Sequence, residues 1–344
     1  MNTIIFNPKQ TTKRLLAVLP ERARDVVVSR YGLDKDSKKM TLEAIGKRYG
    51  ITRERVRQIE NYALHSIKRS DSFGKEKPVF TELHTLVNTL GGIISEEDLL
   101  SHVSKDKSLQ NHVHLLLVLG DSFKKEKEDE HFKHRWHISD DLARKVHDAL
   151  KKLYKNLSDK DLVSELDIIA SFLSHVEDIS DDYKKDSTVV KRWLALSKLI
   201  GKNPLGEWGL TSSPNIRAKG MRDYAFLVIR KHGSPIHFRE VAKSIEKLFG
   251  KKAHVATTHN ELIKDPRFVL VGRGLYALAE WGYMSGVVKD VIRKVLESNG
   301  PLNREQIIDK VLKERYVKEN TIIVNLQNPK NFKRSKEGLY AVAS

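Results

Sequence analysis

The stretch TLEAIGKRYGITRERVRQIE, residues 41–60, decides how the N-terminal part of this chain folds. Apolar residues recur at helical spacing on both sides of a glycine: Ile45 and Tyr49 before Gly50, then Ile51, Val56 and Ile59. Thr41 predicts the cap of a first helix, with Glu43 in its positive first turn. Thr52 predicts the cap of a second. Gly46 is small where two helices must approach closely, and Gly50 allows the positive φ that such a turn requires. Val56 and Ile59 return the second helix to the first, and Ala63, Leu64 and Ile67 continue the buried stripe. Arg53, Glu54, Arg57 and Gln58 are left facing outward. Arginine forks onto guanine, glutamine pairs with adenine and glutamate accepts from cytosine, so these four suit base edges in the major groove. Lys47, Arg48, Thr52 and Arg55 suit phosphates, which position without specifying. A merely solvated arginine-rich helix needs neither the glycine nor the cap nor the apolar spacing.

Upstream, LLAVLPERARDVVVSRYGL at 15–33 predicts a helix starting near Pro20 and ending at Gly32 as its C-cap. DKDSKK, at 34–39, reads as a solvated link. Together residues 10–70 resemble region 4 of bacterial primary sigma factors, the sigma-70 family; the matching strings are LPERARDVVVSRYGL and TLEAIGKRYGITRERVRQIENYAL. The resemblance implies that Arg53, Glu54, Arg57 and Gln58 face a −35 promoter element. It also implies docking on the beta-subunit flap of bacterial RNA polymerase core. The family carries an aromatic-rich, −10-melting domain N-terminal to this one. None is expected here, and so promoter binding without melting is expected.

Composition sets the wider frame. A chain of 344 residues suggests roughly two to four small domains. A net charge of +17 favours a polyanionic partner. The absence of cysteine excludes disulfides, cysteine-ligated zinc and cysteine nucleophiles. MNTIIFNPKQ is not a secretory signal, and LLLVLG at 115–120 is too short to span a bilayer. The expectation is a soluble, cytoplasmic, nucleoid-associated protein with no membrane partner.

Two later segments repeat one another. HGSPIHFREVAKSIEKLFG…DPRFVLVGRGLYALA begins at His232, and NGPLNREQIIDKVLKERY…NPKNFKRSKEGLYAVA begins at Asn299. Each has a helix, with Val241, Ile245 and Leu248 or Ile307, Ile308 and Val311 as its apolar side, then a second helical stretch, then a hairpin. The first hairpin is Phe268-Val-Leu-Val, a turn at Gly272–Gly274, then Leu275-Tyr-Ala-Leu. Helices followed by a small hairpin fit a winged helix. The pair resembles the HARE-type winged helix, which includes the N-terminal domain of the polymerase delta subunit in some bacteria. A degenerate third unit is read at 80–139, from LGGIISEEDLL to FKHRWHI. Thr257, Thr258, His259 and Lys264 would lie on a recognition helix, and Arg273 on a wing tip. Lys330, Lys333, Arg334 and Lys336 cluster at the last wing. Tyr276, Tyr340 and Trp208 read as packing residues.

Residues 141–220 read as a helical middle region, led by Leu142, Val146, Leu150, Leu153 and Leu157 on one amphipathic helix. The chain has 14 histidines but no HExxH string, and His134 and His137 flank an alternating strand pattern, so they face opposite ways. No Walker loop, Gly-x-Ser-x-Gly elbow or acidic metal cluster is present, so no enzyme, cofactor, metal or small-molecule substrate is expected. The expected fold class is mainly α. It comprises a helix-turn-helix domain at 10–70, a helical region at 141–220, and two or three winged helices with small hairpin wings, at 221–282, at 285–344 and, as the degenerate third, at 80–139. The expected function is promoter-type DNA reading in transcription. The alternative is a delta-like, polymerase-associated interaction protein with little direct reading.

Overall fold

The computed structural model describes residues 4–284 and 286–343. The chain divides into two compact units, one holding residues up to 202 with 207–212, the other 203–206 with 213 onward.

The first unit opens with α1 (Pro8–Leu16), α2 (Glu21–Tyr31), α3 (Leu42–Tyr49), α4 (Arg53–Lys68) and the short α5 (Asp71–Lys75). Asn7, Thr41 and Thr52 each accept a backbone N–H and start α1, α3 and α4. There follow α6 (Lys77–Thr89), β1 (Ile93–Ser95), α7 (Glu96–Val103), α8 (Lys107–Leu119), β2 (Lys124–Glu126) and β3 (Arg135–His137). The three strands form an antiparallel sheet in the order β1–β3–β2. A helix, a strand, two helices and a hairpin make the winged-helix arrangement.

α8 ties these two sets of elements together. The apolar run that includes LLLVLG is its buried side: Val113, Leu115, Leu116, Leu117 and Leu119 are all fully buried. One core combines Leu15, Leu16, Val27, Ala63 and Ile67 of α1, α2 and α4 with Leu83, Leu99, Val113, Leu116 and Trp136. Polar contacts fix the register. Thr12 Oγ1 lies 2.6 Å from His112 Nδ1, and Asn111 Nδ2 donates to the carbonyls of Gly32 (2.9 Å) and Ser37 (3.0 Å). The link at residues 34–39 is therefore pinned from below. No packing boundary separates the helix-turn-helix from the winged helix that follows it.

The middle region holds α9 (Asp140–Asn156), α10 (Glu165–Leu173), α11 (Asp181–Lys185), α12 (Ser187–Leu194), β4 (Ile200–Lys202) and β5 (Trp208–Leu210). Val146, Leu150, Leu153, Phe172, Trp193 and Trp208 share its core. The middle region, read as helices followed by NPLGEWG as a loop, also carries two strands at its end. β4 and β5 form an antiparallel hairpin with Ile200 opposite Leu210 and Lys202 opposite Trp208. NPLG supplies its turn, and the burial of Trp208 and Leu210 decides for strand.

The second unit contains α13 (Met221–His232), β6 (Ile236–His237), α14 (Phe238–Phe249), α15 (Val255–Lys264), β7 (Phe268–Leu270) and β8 (Leu275–Leu278). The sheet order is β6–β8–β7, the arrangement of β1–β3–β2 again. After a single 3-10 turn at Ala279–Trp281 come α16 (Val288–Asn299), α17 (Arg304–Glu314), α18 (Glu319–Leu326), β9 (Phe332–Arg334) and β10 (Tyr340–Val342). A single bridge from Leu302 to Tyr340 stands where the other copies have a first strand. Tyr276 is buried, as expected of a packing residue. Leu248 is not: 41% of it is exposed, and Val241, Ala242 and Ile245 form the buried side of α14 instead. The chain is mainly helical, and every sheet among the described residues has two or three strands. No helix among them is long and apolar enough to cross a membrane.

Four histidines are built into the packing: His112, His114, His137 and His147. Buried Arg135 on β3 donates Nε–H to His147 Nε2 of α9 at 2.8 Å and also meets Asp129 at 3.1 Å. Burial, then the Arg135 charge, pushes the His147 imidazole down to about 4. His112 and His114 are also lowered, chiefly by burial. Unfolding returns His147 to an ordinary value of about 6.5, so the unfolded chain binds more protons between about pH 4 and 6.5. Stability is therefore complete above about pH 6.5 and falls as pH drops toward 4. Urea midpoints across that range are expected to fall, with a shallower slope in His147→Gln. Leu116→Ala removes a fully buried side chain from the shared core. It is expected to cost about 2–5 kcal/mol. Hydrogen exchange should show α2, α4 and α8 losing protection together; loss in α8 alone would contradict a common core.

Candidate nucleic-acid interface

The helix-turn-helix is held by a small apolar centre of its own, in which Val26, Ile45 and Val56 are fully buried. Gly50 takes φ +62°, the left-handed conformation that ends α3. At Gly46 an added Cβ would lie 2.6 Å from the Ile51 carbonyl oxygen, which is backbone and cannot swing away. Glycine at 46 therefore sets how closely the turn approaches α3. Thr52 Oγ1 accepts from Arg55 N at 3.2 Å and starts α4.

With Val56 turned inward, the opposite side of α4 lies open. Arg53, Glu54, Arg55, Arg57 and Gln58 are all exposed, as are Lys47, Arg48 and Thr52 around the turn. The side chains already interact. Arg57 Nη2 donates to Glu54 Oε1 at 2.6 Å and Arg57 Nε to Glu54 Oε2 at 2.9 Å. Arg55 Nη1 donates to Gln58 Oε1 at 3.0 Å. The Arg57 hydrogen bonds hold the Glu54 carboxyl below its ordinary range, and the same bonds raise Arg57. Both groups stand in water, which screens the pair, so its effect is to order two rotamers. Lys47 pairs with Glu43 at 3.3 Å. Arg48 leans back toward α2, with Nη1 3.5 Å from Ser29 Oγ and its guanidinium 5.7 Å from the Tyr49 ring centre.

The residues singled out in the second unit divide. Thr257 and Lys264 are exposed on α15, and Arg273 is exposed at the turn of its wing. Thr258 is corrected: it is fully buried, and its hydroxyl donates to the His254 carbonyl at 3.0 Å. One residue along the helix turns it from the open face into the core. His259 is half-buried and stacks on Phe238 with ring centres 4.1 Å apart. Lys330, Lys333, Arg334 and Lys336 are exposed around the last wing, with Arg334 5.8 Å from the Tyr340 ring centre.

The support that α8 gives the helix-turn-helix was not legible in the sequence. Asn111 lies in another element, and a lone asparagine in an apolar helix carries no pattern. Among the described residues no group of three or more His, Cys, Asp or Glu could hold a metal ion.

Residues 15–69 match the family described as Sigma-70, region 4. The RNA polymerase sigma factor RpoS of Coxiella burnetii is 54% identical over 56 residues, 16% of this chain and 16% of that protein. The principal sigma factor HrdD of Streptomyces griseus is 44% identical over 55 residues, again 16% of each chain. The sigma factor SigA of a Bacillus species is 45% identical over 60 residues, 17% of this chain and 16% of that one. The chain thus spans about 16% of the length of the curated relatives it matches. The likeness to sigma-70 region 4 holds for residues 15–69, which contain α2, α3 and α4.

Proposed function

We propose that this chain is a sequence-specific DNA-binding protein of transcription, of sigma-factor type and not an enzyme. α4 enters the major groove of a −35-like promoter element. The observation that carries this reading is the exposed set Arg53, Glu54, Arg57 and Gln58, backed by a buried Val56 and lying inside the region-4 match. These four read base edges, and Lys47, Arg48, Thr52 and Arg55 hold phosphates. On docking, Arg57 exchanges the Glu54 carboxylate for a base edge. Both partners are already hydrated, so the exchange meets little desolvation.

Bacterial RNA polymerase core, through its beta flap, is the protein partner in this reading, and the nucleoid of the cytoplasm is its location. The inward faces of α1, α2 and α4 are sealed by α8. Flap docking would therefore use the surface these helices leave exposed. The modules at 80–139, 221–282 and 285–344 are winged helices, the last two of HARE type, and 141–220 joins them. A second reading, a delta-like interaction protein, is favoured by one observation: the region-4 match ends at residue 69, and three winged-helix arrangements follow it.

Selection of duplex sites from a random pool, with and without core polymerase, separates the two. A preferred site recovered from the chain alone supports direct reading; polymerase capture with no preferred site supports the second. Arg57→Ala is expected to cost about 1–3 kcal/mol on the selected site and to relax specificity at one base pair. Equal weakening on every duplex would remove Arg57 from base reading. Lys47→Ala should weaken binding on all sequences alike and flatten the salt slope by about 1.

A further inference from the structure

The three winged-helix arrangements place a helix at the same position, directly before the last helix and the wing: α7, α14 and α17. Their charges differ. α7 begins Glu96, Glu97, Asp98. On α17, Lys313 is paired with Asp309 at 2.9 Å. α14 instead carries Arg239, Lys243 and Lys247 at every fourth residue, and Lys251 and Lys252 follow in the loop to α15. All five are exposed.

A spacing of four keeps the three helical cations on one side of α14, at steps of about 6 Å along its axis. Among the described residues none of the five pairs with a carboxylate. Glu246, on the same helix, is turned away: its Oε1 accepts from Ala253 N at 2.9 Å. Only Glu240 remains on α14 beside the row. The first wing shows the contrast. There Lys124 pairs with Asp140, Lys125 with Glu96, and Arg135 with Asp129. The distribution along the chain agrees. Residues 1–70 hold 16 basic against 7 acidic side chains, 71–200 hold 20 against 24, and 201–344 hold 26 against 14. The excess positive charge is thus divided between the helix-turn-helix end and the second unit, with an acidic stretch between them.

We infer that the row Arg239, Lys243, Lys247, Lys251 and Lys252 is a second DNA site, gripping the phosphate backbone of a duplex without reading its sequence. A regular line of cations without carboxylate partners matches a regular line of phosphates, and neutralising them releases condensed counterions. Such a grip on the same chain raises the effective concentration of the helix-turn-helix at neighbouring sites. The inference shares with the proposed function only the premise that the chain meets DNA; it does not need α4 to read bases.

The test uses the full chain and a short duplex of random sequence, with affinity measured across a salt series. In Lys243→Gln/Lys247→Gln/Lys251→Gln the slope of log affinity on log salt is expected to shrink by roughly 2–3, about 0.9 for each phosphate no longer neutralised. The control Lys151→Gln/Lys152→Gln/Lys155→Gln, exposed on α9, removes the same charge and should leave the slope unchanged. An unchanged slope in the α14 variant overturns the site. So does an equal loss in both variants, which would mean net charge alone. A third overturning result is tighter binding of the wild-type chain to phosphatidylglycerol vesicles or polyglutamate than to the duplex, lost in the α14 variant. If site selection finds no preferred sequence, α4 reading fails while this slope comparison stands.

Discussion

α8 is the element on which the described N-terminal half depends. Its apolar face is too broad for one partner, and five of its side chains are fully buried. Burying each contributes about 1.5–3 kcal/mol relative to leaving it in water. Helices as short as α1 and α3 are marginal alone, because nucleation costs more than a few hydrogen bonds return. α1, α2 and α4 share one core with α8, while α3 is held through α2 and α4 by the smaller centre of Val26, Ile45 and Val56. The Asn111 bonds then fix the link between α2 and α3, so the turn and α4 are oriented from a rigid base.

That base shapes how the exposed side of α4 can act. The long side chains of Glu54, Arg55, Arg57 and Gln58 are ordered by hydrogen bonds among themselves. Ordering before docking reduces the rotamer entropy lost on binding, and full hydration keeps the internal bonds weak enough to exchange. The arrangement combines a stiff scaffold with labile tips.

The winged-helix arrangement recurs three times with three different uses of the same surface. In the first copy Lys124, Lys125 and Arg135 of the wing are taken up by internal pairs, and its last helix seals the neighbouring domain. In the second the cations of α14 remain without such partners. In the third, the first strand is reduced to a bridge. Backbone order is set by apolar spacing and glycine turns. The polar face is free to diverge, since its residues do not hold the fold.

Local features were legible because they follow from short-range physics. The caps at Thr41 and Thr52, the left-handed Gly50, the tight approach at Gly46 and the outward face of α4 all follow from residues within one turn of each other. The hairpin of β7 and β8 was read from the same kind of signal. The illegible features were those requiring a distant partner. Thr258 and Leu248 exchanged their expected places because helical phase depends on which neighbour a face meets. The β4–β5 hairpin formed where a core was available to take Ile200 and Trp208. Residue type and spacing alone dictate which side chains could face a DNA groove and which must hide. That the helix-turn-helix shares its core with the winged helix after it was settled by long-range packing, because an apolar helix face specifies burial but not the partner that buries it.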